Sequence, residues 1–109
     1  MRTVVLALAL ALATAACKGD AQKCEQAARN YATLTFWKGA NAEIEKAPPA
    51  QRDALRKKKL SAFTNELEAN IDFYVQQCQS ANNDDQVDCM IAAKTAEDVA
   101  KCAEPAESN

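Results

Sequence analysis

The sequence predicts an all-α protein, a small bundle of one long helical hairpin and one short C-terminal helical hairpin, stapled by disulfides. Three observations lead there. Gly occurs twice and Pro three times in 109 residues, while the straight-chain helix formers and Ala are abundant. Apolar residues recur at threes and fours rather than at twos, the period of a helix face. Four cysteines, Cys24, Cys78, Cys89 and Cys102, fall where the helices of such hairpins would meet.

The N-terminus reads differently from the rest. Met1-Arg2-Thr3 is a short positive segment, Val4 to Ala13 is unbroken apolar sequence, and Thr14-Ala15-Ala16 is a run of small residues. These are the three parts of a secretory signal. The apolar run is too short for a membrane span, which needs ~20 residues. The expected organisation is a signal peptide over 1–16, a short tether over 17–22, a helical domain over 23–103 and a disordered tail over 104–109.

Thr14-Ala15-Ala16-Cys17 resembles the bacterial lipobox, in which small residues precede a cysteine that receives diacylglycerol and acyl chains such as palmitate. The resemblance implies that Cys17 becomes the lipidated first residue and that the membrane is a partner through that lipid. It also implies that Lys18, standing where Asp would retain a protein at the inner membrane, directs the chain to the outer membrane of the cell envelope. Ala13-Thr14-Ala15 is an alternative cleavage site, and its use would give a soluble secreted or periplasmic protein.

Composition removes several classes of function. The formal charge is −2, and loss of Arg2 with the signal makes it −3, which does not suit a nucleic-acid partner. Histidine is absent, so neither a Ser/His nor a Cys/His catalytic set can form. The cysteines include no C-x-x-C pair, which argues against a metal site, and no cofactor is expected.

Along the mature chain, residues 21–46 read as the first helix, with Cys24, Ala27, Ala28, Tyr31, Leu34 and Trp37 on one face and Phe36 off it. Gly39 is a weak point. Pro48-Pro49 ends this helix, because the residue before each proline is pushed out of the α region. The second helix, over 50–78, carries Leu60, Phe63, Leu67, Ile71, Tyr74 and Cys78 at helical spacing. Arg52, Arg56, Lys57, Lys58 and Lys59 form a basic run near its start, read as a solvated helix turn in preference to an anionic-surface site. Residues 79–86 are expected to be a polar loop, and Val87 to Lys94 a short apolar helix. Thr95 then caps a last helix that opens on Glu97 and Asp98.

An antiparallel long hairpin brings Cys24 and Cys78 to one end, and Cys89 and Cys102 lie almost symmetrically about Lys94-Thr95. The preferred pairing is therefore Cys24–Cys78 and Cys89–Cys102. The second long helix exceeds the first by ~9 Å at 1.5 Å per residue, so this pairing requires residues 48–54 to wrap as a turn. Otherwise Cys24–Cys102 with Cys78–Cys89 becomes attractive. The stretch from Gln77-Cys78 through Asp88-Cys89-Met90-Ile91 to Ala100-Lys101-Cys102 resembles the C-terminal half of small four-cysteine bacterial envelope lipoproteins. That resemblance implies an envelope location and no established activity.

The functional expectation is non-catalytic. Glu43, Glu45, Glu66, Glu68 and Asp72 read as solvated helix surface. Two roles remain: a protein-interaction or structural module with an envelope protein partner, or a small-molecule or lipid carrier with a pocket between helices lined by Tyr31, Phe36, Trp37, Phe63 and Tyr74. An outward Phe36–Trp37 patch would favour the first and make those two residues the candidate contact site. An enclosed apolar cavity would favour the second. Oligomeric state is left open.

Overall fold

The computed structural model describes residues 19–103. The signal segment, Cys17, Lys18 and the tail over 104–109 lie outside the described residues. Four α-helices follow one another: α1 (Ala21–Lys46), α2 (Arg52–Ala81), α3 (Asp84–Ala92) and α4 (Ala96–Ala103). There is no strand among the described residues. The protein is an all-α bundle whose two hairpins are each closed by a disulfide, Cys24–Cys78 and Cys89–Cys102, both with Cα atoms 5.7 Å apart.

The length mismatch between the long helices is taken up at both ends. Pro49–Gln51 forms a 3-10 turn instead of the start of α2, closed by Gln51 N–H donating to Pro48 O at 3.1 Å or less, namely 2.8 Å. Arg52 reaches back from the first turn of α2, donating to Ala47 O and Glu45 O at 3.0 Å each. It thereby satisfies carbonyls that the C-terminus of α1 leaves without helical partners. At the other end α2 runs past Cys78 by three residues to Ala81, and the chain before α1 lies against this overhang. Gly19 N–H donates to Gln79 O at 3.1 Å, and Gln79 Nε2 donates to Gly19 O at 3.0 Å.

That docking corrects the expected tether over residues 19–22, the part of it that is described. Asp20 is the N-cap of α1, its carboxylate accepting from the backbone N–H groups of Gln22 and Lys23 at 2.8 and 3.1 Å, and Ala21 and Gln22 are already helical. Gly19 approaches closely enough that a Cβ there would stand 3.4 Å from Gln79 Cα.

The expected polar loop over 79–86 is also corrected: it shrinks to Asn82-Asn83. Asn82 adopts the left-handed conformation, φ 48°, which a residue just past a helix C-terminus adopts most readily if it is Gly or Asn. Asn83 caps α3 by accepting from Gln86 N–H at 3.1 Å, and Asp84 and Asp85 fill the first turn, where the helix dipole favours acids. Thr95 caps α4 as expected, its hydroxyl accepting from Asp98 N–H at 3.0 Å.

α1 is the central rod. It packs against α2 on one side and against α3 and α4 on the other, while α2 has little contact with the short hairpin. A core of Cys24, Ala27 and Val87, flanked by Val75, Cys78, Met90 and Ile91, fills the disulfide end. Leu67 and Ile71 are buried midway along α2, and Ala40 and Ile44 are buried on α1 toward the proline turn. Val99 is fully buried and anchors α4. Asn30, on α1, fixes the short hairpin through its side-chain amide, which donates to Met90 O at 2.7 Å and Ala93 O at 3.0 Å.

Candidate functional site: an apolar groove over the central helix

Because α2 and the short hairpin flank α1 without closing over it, one face of α1 is left at the bottom of a groove of about 670 Å³. Small side chains, Ala27, Ala28 and Ala32, make the floor. Phe63, Leu67 and Tyr74 of α2 form one wall, and Val87 and Met90 of α3 the other. The Cys24–Cys78 disulfide closes off the floor at one end. The periodicity explains the arrangement: Phe63, Leu67, Tyr74 and Cys78 are spaced by four, seven and four, so they line one stripe of α2.

The aromatic residues fall into two groups. Phe36 stacks on Phe63 across the α1–α2 seam, with ring centroids 4.3 Å apart and planes inclined by 11°. Trp37 lies edge-on to Phe36 at 5.0 Å. Phe36 and Trp37 are half-buried, and neither is among the exposed large apolar side chains that an outward patch would need. Trp37 does not line the groove; Tyr31, Phe36, Phe63 and Tyr74 do. The exposed large apolar side chains are Tyr31 (37% exposed), Leu60 (42%), Tyr74 (42%) and Phe73 (58%). Two of these four, Tyr31 and Tyr74, belong to the groove, so its rim offers apolar rings to solvent. Phe36, off the apolar stripe of α1, is nonetheless packed because Phe63 of α2 stacks on it.

Charge is arranged around the groove rather than in it. Arg29 bridges α1 to α2, donating to Glu68 at 2.6 Å and to Glu25 at 3.0 Å. Lys23 pairs with Asp88 at 3.1 Å and Lys38 with Glu97 at 2.6 Å, tying α1 to the short hairpin. Lys59 pairs with Glu43 near the proline turn. The hydrogen bonds from Arg29, Lys59 and Lys38 hold the carboxyls of Glu68, Glu43 and Glu97 below the usual carboxylate range. The same bond from Lys23 to Asp88 raises the lysine's pKa, and those to Glu68 and Glu25 raise that of Arg29. These pairs are exposed, so each adds little to stability. Inside the groove the one charged lining residue is Glu66, which enters no ion pair among the described residues.

The basic run is largely engaged locally. Arg52 caps α1, Arg56 donates to Asp53 at 3.3 Å, and Lys59 meets Glu43, leaving Lys57 and Lys58 solvated. It also lies at the end of the hairpin opposite the N-terminus of α1, so it is the length of α2 away from the point where residues 1–18 join. No group of His, Cys, Asp and Glu among the described residues could hold a metal ion, and none of the described helices is long and apolar enough to cross a membrane. Comparison of the chain with family models, curated proteins and solved structures finds no match.

Proposed function

We propose that this protein is an exported, lipid-anchored module of the bacterial envelope that binds a protein partner without catalysis, seating an apolar segment of that partner in the groove over α1. The observation that carries the reading is the shape of the groove. It is an open trough with three-helix walls and exposed rings at its rim, the geometry that accepts the apolar face of a helix. Its lining is mostly apolar, with Thr35, Gln77, Asn83, Gln86 and one carboxylate, Glu66, and a single carboxylate is poor material for acid–base chemistry. The anchor is supported by the cysteine pairing: the two disulfides take four cysteines and leave Cys17 as the odd one, at the lipobox-like site.

The carrier reading retains one supporting observation, since 670 Å³ falls within the ~300–1,000 Å³ of small-ligand pockets. Site-specific photo-crosslinking in cells separates the two. A photoreactive residue at Ala28, Ala32 or Gln77 should give a discrete adduct the size of a second protein, and the same residue at Asp72 should not. A mass gain of a few hundred daltons at the groove positions instead would establish the carrier. Adducts that are equally abundant at Asp72 would remove the groove from either role.

The anchor has its own test. Cys17→Ser should move the protein from the membrane fraction to the soluble fraction and abolish palmitate incorporation. A wild-type protein that fractionates as soluble, or whose mature N-terminus is a free amine, would contradict lipidation at Cys17.

A further inference from the structure

We infer that the segment held in the groove is an amphipathic helix with a Lys or Arg beside its apolar face, the cation meeting Glu66 on the α2 wall. This rests on the interaction-module reading above and adds the chemistry of the partner. Three observations argue for it. First, the groove lining contains a carboxylate and no Lys or Arg. Second, Glu66 enters no ion pair among the described residues, whereas Arg29 pairs with Glu68 and Glu25, Lys23 with Asp88, Lys38 with Glu97 and Lys59 with Glu43. Third, Glu66 stands beside Leu67 and one turn from Phe63 in the groove lining, so a ligand whose apolar face fills the trough passes within reach of its carboxylate.

The alternatives fit the charge less well. A fatty acid or an anionic lipid would bring its own negative head to a wall that has a carboxylate and no cation, a like-charge contact that costs affinity. A second copy of this chain would bring another surface of net negative charge, with its own Glu66 placed against the first across a two-fold axis. A basic amphipathic helix satisfies both the apolar trough and the unpaired acid. Tyr31 and Tyr74 at the rim add ring faces that attract a cation.

Binding of three probes to the purified mature protein, by fluorescence anisotropy or calorimetry at low salt, tests this. Two are 15-residue helical peptides with Leu and Phe at i, i+3, i+4, i+7 and i+11, one flanked by Lys and the other by Glu. The third is dodecyltrimethylammonium. The Lys peptide is expected to bind about fivefold more tightly than the Glu peptide, the scale of a partly exposed ion pair. Glu66→Gln should bring the two within about twofold, as should ~1 M salt, where the Debye length is ~3 Å, while Asp72→Asn should leave the preference intact. Equal binding of both peptides that is lost in Ala32→Trp would keep the groove as a helix site and overturn its preference for a cation. Binding of the ammonium amphiphile but of neither peptide would overturn the helix occupant. If none of the three binds, the groove reading itself fails along with this one.

Discussion

Reduction of the Cys24–Cys78 bridge, or its removal as Cys24→Ala with Cys78→Ala, is expected to destabilise this fold more than loss of the Cys89–Cys102 bridge. The bridge spans 54 residues of sequence. A loop of that length loses roughly 4 kcal/mol of stabilisation in the chain-entropy account, against roughly 3 kcal/mol for the 13-residue span of Cys89–Cys102. Domains of this size have a net stability of only ~5–15 kcal/mol, so the first bridge alone is a large share. Cys24 is 1% exposed and belongs to the core with Ala27 and Val87, which adds a packing loss to the entropic one. At ~4–8 °C per kcal/mol, the midpoint of thermal unfolding should fall by roughly 20 °C for the Cys24/Cys78 pair and by distinctly less for Cys89→Ala with Cys102→Ala. Circular dichroism melts of the two double variants measure this directly. A reversed order, with the short bridge mattering more, would mean that the hairpin of α3 and α4 nucleates the domain and that the long hairpin holds without its staple.

The long hairpin was legible in the sequence because its signals are strong and agree with one another. Pro48-Pro49 admits no helix through it, the stripe from Leu60 to Cys78 keeps one period for five turns, and the cysteine positions make sense only if both helices run to the same end. The local chemistry at Asn82-Asn83 was equally present but was hidden by its polarity. Eight polar or small residues look like a loop, whereas two asparagines, one suited to a left-handed C-terminus and one to an N-cap, allow both helices to extend inward until they almost touch. Gly19-Asp20 was misread for a related reason. Gly beside a charged residue suggests a flexible linker, yet Asp before Ala-Gln-Lys is an N-cap, and the backbone of Gly19 is hydrogen-bonded to Gln79.

The groove was legible only in its parts. Tyr31, Phe36, Phe63 and Tyr74 could be named as aromatic residues at helical spacing, but a wheel of one helix does not say how many neighbours that helix has. α1 has neighbours on both flanks, and this is a consequence of the short hairpin folding back on α1 rather than on α2. That choice is recorded in pairings between residues far apart in sequence, Asn30 with Met90 and Ala93, Lys38 with Glu97, Lys23 with Asp88. No periodicity reveals such pairings. Whether Phe36 and Trp37 point outward was left open for the same reason: α1 alone does not show that Phe63 of α2 stands against Phe36.

Asn30 is the residue on which that choice of flank depends most, and its replacement should show it. The side-chain amide donates to Met90 O and Ala93 O, carbonyls at and just beyond the C-terminus of α3, where helix carbonyls lack partners of their own. Asn30→Leu removes the donor and places a methyl-bearing chain against those oxygens. Leaving such half-buried acceptors unmet costs ~1–3 kcal/mol, a fall of roughly 10 °C in the unfolding midpoint. Asn30→Asp is the sharper variant, because it keeps the shape and replaces the donor by an acceptor, so oxygen faces oxygen. It should be at least as destabilising as Asn30→Leu near neutral pH, and should recover as the introduced carboxyl protonates and can donate. The loss should also be local: amide exchange should quicken in α3 and α4, which still share the Cys89–Cys102 bridge, before it quickens in α2. If both variants melt within about 2 °C of the wild type, well under the effect of 1 kcal/mol, water replaces the amide without cost. The short hairpin would then be held to α1 mainly by the packing of Val87 and Val99, and the trough between it and α2 would owe its width to apolar packing rather than to the Asn30 latch.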